Sequence, residues 1–454
     1  MEGRAYGGTN LEGDTLKGMT KPVHSTATKL ERIAQRSSEE AEAQFIGLMP
    51  LFNESSLVEC FHALDGRKAV GADGQTKAEY GADLLENLAE LLERMKRMAY
   101  RPGPVREVLI PKEGKKGATR PLGISNFEDK VVQLMTSKVL QAIYEPIFRN
   151  CSYGFRPHRG CHTAIRALHQ TLHRNNWEVV LDVDLRNFFG TLNHDILLDF
   201  LRIKIKDDRF IRYIARLLKA GVLRDGELSM TDEGSPQGNV ASPILANIYA
   251  HYVIDVWFQD VVKLHVKGPV ELFRYADDMV ICCRFRSDAE RIHRALAGRL
   301  EKYSLALNAE KTKSVSFDKR GFQAGMKQET FDFLGFTFYL GRSRHNNVVV
   351  KVQTSRKRFR SKLQRVTAWV KANRHRAKLT PLWLMFTGKL VGHIRYYGVS
   401  FNSRQVGNFL YRSVRTFFKW MNRRSQKRSF NWDQFLKFLQ KYPLPPVRVY
   451  VPLF

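Results

Sequence analysis

The chain has little cysteine, no long apolar run and, over its last hundred residues, almost no acid. Each shortage closes off a class of protein. No stretch approaches the roughly 20 consecutive apolar residues that cross a bilayer, so no membrane partner is expected. The N-terminus, MEGRAYGGTN, lacks a charged head followed by an apolar stretch. No secretory signal is read there, and a cytoplasmic location is expected. The five cysteines, Cys60, Cys151, Cys161, Cys282 and Cys283, form neither paired CxxC units nor an even disulfide set. They are read as reduced.

What is present points to a folded, strongly basic protein. Hydrophobic residues make up 43% and aromatics 11% of the 454 residues, enough for two or three domains with proper cores. The formal net charge is +29, and it is lopsided: residues 351–454 hold 24 Lys and Arg against one acid, Asp433. Excess positive charge on this scale implies many phosphate contacts and salt-sensitive nucleic-acid binding. A disordered basic tail or an anionic membrane surface is the competing reading. Interleaved Trp369, Trp383, Phe386, Tyr396, Tyr397, Phe417 and Trp420 argue for a folded module instead.

Two acidic stretches carry the chemistry. In FRYADDMVICCRF, residues 273–285, apolar runs flank Tyr275, Ala276, Asp277 and Asp278, so two strands are expected to fold back with adjacent carboxylates at the tip. Side-by-side acids repel, and a bound divalent cation would explain them, although a solvated turn also fits. In VVLDVDLRNFF, residues 179–189, Asp182 and Asp184 fall on one face of a period-two strand. Enzymes that use two metal ions about 3.5–4 Å apart draw carboxylates from separate elements. A strand end and a hairpin tip would supply them.

Other stretches are read in that light. Asn53–Asp65 is expected as a capped helix, and residues 81–100 carry one helical stripe. A strand over 106–110 leads into PKEGKKGATRPLGIS, whose cations on a Gly-rich hairpin suit a triphosphate as well as a solvated turn. Arg156 and Arg159 in SYGFRPHRGCHTAI fit phosphate contacts or a plain basic loop. Phe189, close after Asp184, is placed either to block a sugar 2′-OH or to fill a core. Gln237, in the small-residue loop TDEGSPQGNVASPILANIYA, is set to contact a base pair or to be buried. Lys311 in NAEKTK is a candidate to steady a leaving pyrophosphate or a solvated lysine. FDFLGFTFYL, residues 331–340, reads as a hairpin with a close approach at Gly335.

Taken in order, these pieces closely resemble the group II intron-encoded reverse transcriptases. The resemblance covers roughly residues 28–430, through VGADG, YRPGPVREVLIPK, RPLGISNFEDKVVQ, YGFRPHRGCHTAI, GSPQGNVASPILANIY, YADD, LNAEKTK, FLGF and GHIRYYGV. It implies an α/β (α+β) right-hand polymerase fold. The N-terminal extension would occupy residues 1–50, fingers and palm 51–345, a helical thumb or maturase domain X 346–435, and a short tail 436–454. It implies that Asp184, Asp277 and Asp278, with the Leu185 backbone carbonyl, hold two Mg²⁺ ions. Lys112 and Arg120 would clasp the triphosphate, Phe189 would gate the sugar, Gln237 would lie beside the nascent pair and Lys311 near the pyrophosphate. Arg156, Arg159, Arg356, Lys357, Arg358 and Arg360 would contact nucleic acid.

The implied partners are group II intron RNA, an RNA template with a DNA primer, dNTPs and a DNA target. Two departures stand out: Gly190 replaces the Asp common after the paired aromatics, and the Cys-pair and His-Asn cluster of a homing endonuclease is lacking. The alternatives are a non-catalytic RNA-binding splicing factor and a free-standing reverse transcriptase serving defence or repair.

Overall fold

The computed structural model describes residues 25–111, 117, 119–224, 227–229, 233–234, 238–376, 378–424 and 430–454. Lys112 and Gln237, expected at a triphosphate and beside a base pair, lie outside the described residues. The described chain mixes helix and sheet.

The first helices gather around one long one. Helix α1 (Thr26–Glu39) is followed by α2 (Glu54–Ala63), which starts where the Asn/Glu/Ser cluster predicts. Asn53 Oδ1 accepts from the Ser56 N–H while Ser56 Oγ accepts from the Asn53 N–H, closing a reciprocal cap. The single stripe expected over 81–100 is two helices, α3 (Lys77–Ala82) and α4 (Leu84–Lys96), because Asp83 between them leaves helical geometry. Strands β1 (Val105–Pro111) and β2 (Thr119–Ile124) pair antiparallel, with Ile110 opposite Arg120. Helix α5 (Phe127–Tyr144) then runs through the middle of this part, and α1, α2 and α3 pack on it.

Next come α6 (Cys161–Arg174), β3 (Val179–Asp184), α7 (His194–Lys204), α8 (Asp208–Leu218), β4 (Val222–Arg224) and β5 (Glu227–Ser229). Strand β4 joins β1 in parallel, giving a sheet of order β2-β1-β4-β5. Helix α9 (Ser242–Ala250) continues into two wider π-helical turns, His251–Asp255 and Phe258–Val262, before α10 (Lys263–His265). The hairpin of β6 (Val270–Tyr275) and β7 (Asp278–Cys283), then α11 (Arg286–Lys302) and β8 (Lys313–Ser316), complete a second sheet of order β6-β7-β3-β8.

That second sheet divides two cores, as strand periodicity requires. Val179, Leu181 and Val183 of β3 lie with Met279, Ile281 and Cys283 of β7 against α5, α9 and α11. Val180, Val280 and Cys282 face the other way, against α6 and the C-terminal half of the chain. Both faces are buried. Polar side chains of this sheet gather toward the strand ends, with Asp182 and Asp184 on one face of β3.

After α12 (Lys319–Gln323), strands β9 (Phe331–Phe333), β10 (Phe336–Arg342) and β11 (Val348–Thr354) form a third sheet of order β11-β10-β9. The hairpin expected over 331–340 is present, turned by Leu334 and Gly335 with φ of 49° and 84°. Its close approach is made by the chain itself, since a Cβ on Gly335 would stand 3.1 Å from the Tyr397 hydroxyl. The basic C-terminal part is folded into α13 (Arg356–Asn373), α14 (Leu379–Tyr397), α15 (Ser403–Met421) and α16 (Trp432–Lys441). Trp383 lies buried among Phe386, Phe417, Phe435 and Phe438 and donates its indole N–H to the Tyr442 carbonyl.

Two expected boundaries need correction. A cut at 345/346 falls between the paired strands β10 and β11, and one at 435/436 falls within α16. Nor is the tail separate: the Tyr450 N–H donates to the Gly398 carbonyl, and Val451 pairs with Val399.

Asp129 on α5 offers a test of this packing. It is buried, accepts the Tyr100 hydroxyl at 2.5 Å and the Gly103 N–H at 3.1 Å, and burial pushes its carboxyl up to about 7. The folded value lies above the unfolded one, so the stability it contributes is complete below about pH 4 and is lost as pH rises to about 7. The slope is at most about 1.4 kcal/mol per pH unit. Urea titrations from pH 4 to 7 should therefore show a shallower decline in the Asp129→Asn variant than in the parent; parallel declines would count against the assignment.

Candidate active site

The acids converge because of strand register. Strand β7 pairs antiparallel with β3 on one side and β6 on the other, and the pairing sets Asp184 directly opposite Asp278. The β6–β7 turn consists of Ala276 and Asp277, with Ala276 at φ 57°. Asp277 thus sits beside Asp278 at one end of the sheet, with Asp184 across from them. Asp182 shares the Asp184 face one pleat back. The strand and hairpin expectations are met, and Asp184, Asp277 and Asp278 are brought together.

The electrostatics are those of crowded carboxylates. Asp278 is exposed at the end of its strand, yet protein atoms crowd its carboxyl. That enclosure, with the charges of Asp277, Asp184 and Asp182, pushes its carboxyl up to about 7. Burial, then Asp184, raises Asp277 as well, and burial with Asp332 and Asp184 takes Asp182 to about 6. Asp184 has drawn in partners: Lys311 Nζ lies 2.6 Å from Oδ2, and Asn308 Nδ2 donates to the same oxygen at 3.0 Å. Arg358, at the start of α13, also favours ionised Asp278.

The site's chemistry suits a divalent metal. The donors are hard carboxylate oxygens whose mutual repulsion a cation would relieve, which suits Mg²⁺. Among the described residues no three acid, His or Cys side chains stand close enough to enclose an ion by themselves, so substrate oxygens and water would have to complete the shell. The bridge between Leu185 and Leu307 is carried by Asp184 and Arg186, whose backbone bonds go to Asn308 and Ala306. Alternation along the strand turns the Leu185 carbonyl to the opposite edge, toward the acid hairpin.

The other expected residues scatter in role. Phe189 lies partly buried beside the site, between Phe188 and Phe155. Arg120 is exposed on β2. Arg356, Lys357, Arg358 and Arg360 are exposed on the first turns of α13. Arg156 requires correction: its side chain is 3% exposed and bonds to the Glu145 carboxylate and to the carbonyls of Arg149, Ser152 and Glu145. Those donors are spent inside the fold, so no phosphate contact remains for it. Arg159 likewise holds the carbonyls of Asn150 and Ser152 and the side chain of Asn150. At Gly190 a Cβ would meet the Asn187 side-chain amide at 2.3 Å, so a larger residue there would require that amide to move.

Sequence reasoning missed the foundation of the hairpin. Arg274 and Asp255 are both 0% exposed and form a two-pronged ion pair, with Nε to Oδ1 at 2.7 Å and Nη2 to Oδ2 at 2.6 Å. The remaining donors of Arg274 reach Ser152 Oγ, Asn247 Oδ1 and the carbonyl of Ala276, in the turn itself. A signal was there: one arginine in the apolar strand VELFRY and one aspartate in the apolar run ANIYAHYVIDVW, where a buried charge demands a partner.

Comparison with known proteins follows the same lines. A reverse transcriptase (RNA-dependent DNA polymerase) family model matches residues 110–338. The group II intron-encoded protein LtrA of Lactococcus lactis subsp. cremoris is 34% identical over 227 residues, 50% of this chain and 37% of that one. Protein YkfC of Escherichia coli (strain K12) is 32% identical over 317 residues, 63% of this chain and 80% of that one. Nuclear intron maturase 3, mitochondrial, of Arabidopsis thaliana is 34% identical over 151 residues, 33% and 20% of the two chains. The match thus spans well under two thirds of the lactococcal protein. It upholds the resemblance read from the motifs.

The ion pair generates a stability prediction. Asp255→Ala strands the Arg274 guanidinium in the core and should cost about 3–5 kcal/mol, read as a lowered urea midpoint. Pairing Asp255→Leu with Arg274→Met should cost less than either single change; equal or greater loss would contradict the buried-charge account.

Proposed function

Since the chain belongs to the reverse transcriptase (RNA-dependent DNA polymerase) family, we propose that it synthesises DNA on an RNA template from a DNA primer and dNTPs. The observation that carries this reading is the placement of Asp184 opposite Asp278, with Asp277 in the adjoining turn. Fingers and palm would be built from residues 51–354 and the thumb or maturase domain X from the helices beginning at Arg356, with residues 1–50 as an N-terminal extension.

Asp184, Asp277, Asp278 and the Leu185 carbonyl would hold two Mg²⁺ ions. When bound, the ions acidify the primer 3′-OH and neutralise charge developing on the phosphates. The chain's own residues orient the reaction. The primer 3′ oxygen would attack the α-phosphorus as the bond to pyrophosphate breaks, at the strand ends that carry Asp184 and Asp278. Lys311, already beside Asp184, places a positive charge where pyrophosphate departs. Lys112 and Arg120 would grip the triphosphate, Gln237 would lie beside the nascent pair, and Phe189 would exclude a ribose 2′-OH.

A second role, binding intron RNA to assist splicing and mobility at a DNA target, is favoured by a specific observation. Residues 356–424 contain no acid, and Lys371, Arg374 and Arg423 all stand within 5.6 Å of the Trp420 ring. Nearby, a cavity of ≈ 540 Å³ is lined by Arg415, Phe418, Lys419, Asn422 and Arg423. Cations ranged around an aromatic suit phosphates with unstacked bases.

Asp277→Ala with Asp278→Ala should abolish primer extension on an RNA template while RNA binding is kept; undiminished extension would sink the site. Neutralising Arg356, Lys357 and Arg360 together should weaken RNA binding and flatten its dependence on salt by up to about three phosphate contacts. An unchanged salt slope in filter binding would remove these residues from the interface.

A further inference from the structure

Phe155 is an exposed aromatic on a constrained stretch of backbone. It is 48% exposed and its backbone lies in the left-handed region at φ 56°. For a bulky side chain that conformation is unfavourable.

The neighbours hold Phe155 in position from both sides. Cys151, Ser152 and Tyr153 run alongside β6 through bonds from the Arg274 N–H to the Cys151 carbonyl and from the Tyr153 N–H to the Arg274 carbonyl. Gly154 then presses on the acid hairpin so closely that a Cβ would stand 2.7 Å from the Ala276 nitrogen, and its carbonyl accepts Asn247 Nδ2 at 2.7 Å. On the other side the buried Arg156 is clamped to Glu145. The chain is pinned before and after Phe155, and the aromatic ring is delivered to the side of the acid hairpin, against Tyr275.

There the ring meets two others. Its centroid lies 6.4 Å from that of Phe189, nearly perpendicular at 84°, and 6.4 Å from that of Tyr275. Phe189 in turn leans on the buried Phe188, at 5.4 Å and 68°. Phe189 is therefore held between a ring fixed in the core and a ring fixed by strained backbone. Remove Phe155 and one wall of that slot is gone, leaving χ1 of Phe189 free to swing toward the vacated space.

We propose that Phe155 is a positioning residue for sugar selection: it buttresses the Phe189 ring and so keeps the volume beside the 2′ carbon of the incoming nucleotide closed. This rests on the reading of Phe189 as the sugar gate. Phe155 acts through Phe189, and its exposed side is the one a bound template, primer and nucleotide would cover.

The test is single-nucleotide incorporation on an RNA template, comparing efficiency for a dNTP with that for the matching rNTP. Their ratio cancels the active fraction of each preparation, so partial misfolding does not imitate the effect. Phe155→Ala should lower dNTP preference about tenfold, the scale on which an apolar site discriminates a small group. Phe155→Tyr should restore most of it. In a Phe189→Val background, Phe155→Ala should change the ratio no further, because the ring it supports is absent. A Phe155→Ala ratio equal to the parent's, while Phe189→Val lowers it, overturns the buttress but spares the gate. A full additional loss in the Phe189→Val background also overturns it, by showing that Phe155 acts independently. If Phe189→Val leaves the ratio unmoved, the gate itself falls and the buttress with it. Should Phe155→Ala turn over neither sugar, Phe155→Leu is read by the same criteria.

Discussion

The arrangement of the site depends on a charge pair that water never reaches. Arg274 and Asp255 meet in the interior with no exposed surface, where each ion alone would cost several kcal/mol to desolvate. The geometry compensates for this by engaging every arm of the guanidinium. Two arms meet the carboxylate, and the rest bind Ser152, Asn247 and the Ala276 carbonyl. One residue thereby joins the hairpin turn, the segment beside β6, helix α9 and the π-helical turn after it. A hydrophobic residue of similar size would fill the same volume without fixing where the turn points. Replacing a buried ion pair by well-packed apolar residues is often neutral or stabilising, so the pair is not needed for stability alone.

The local physics explains which features were legible in sequence. Period two over VVLDVD and the apolar flanks of YADD specify strands, and side-chain alternation then fixes which acids share a face. The cap on α2 was legible for the same reason, since Asn53 and Ser56 are three residues apart. Partners distant in the chain were not. Arg156 looked like a phosphate contact because a basic residue after an aromatic and before a proline does not reveal that Glu145 lies folded beneath it. Gly335 invited a nucleic-acid backbone, whereas Tyr397, 62 positions later in the chain, occupies the space. The break at Asp83 was hidden because the apolar spacing continues across it.

The sheet that separates the two cores also relates the acid cluster to the basic helices. One face of β3 and β7 belongs to the core around α5, the other to a core reaching through β9, β10 and β11 into α14 and α15. The join is made at several points. His162 of α6 bonds to the Tyr396 carbonyl, the Tyr396 hydroxyl donates to Leu334, and Asn402 bonds to the Thr354 hydroxyl and receives its N–H. Arg358 at the base of the basic helices lies near enough for Asp278 to feel its charge. Positive and negative poles of the molecule are thus adjacent across a well-packed boundary.

The wide turns between α9 and α10 have one more implication. An α-helix advances about 100° per residue, and a π-turn absorbs an extra residue without lengthening the helix in proportion. Asp255, the last residue of the first such turn, pairs with Arg274 from the end of that wider stretch. A regular α-turn over 251–255 would present its residues at different angles to Arg274, so the aim of the Asp255 carboxylate belongs to this irregular stretch. Regularity and function are opposed at this bend, and the chain keeps the irregular form.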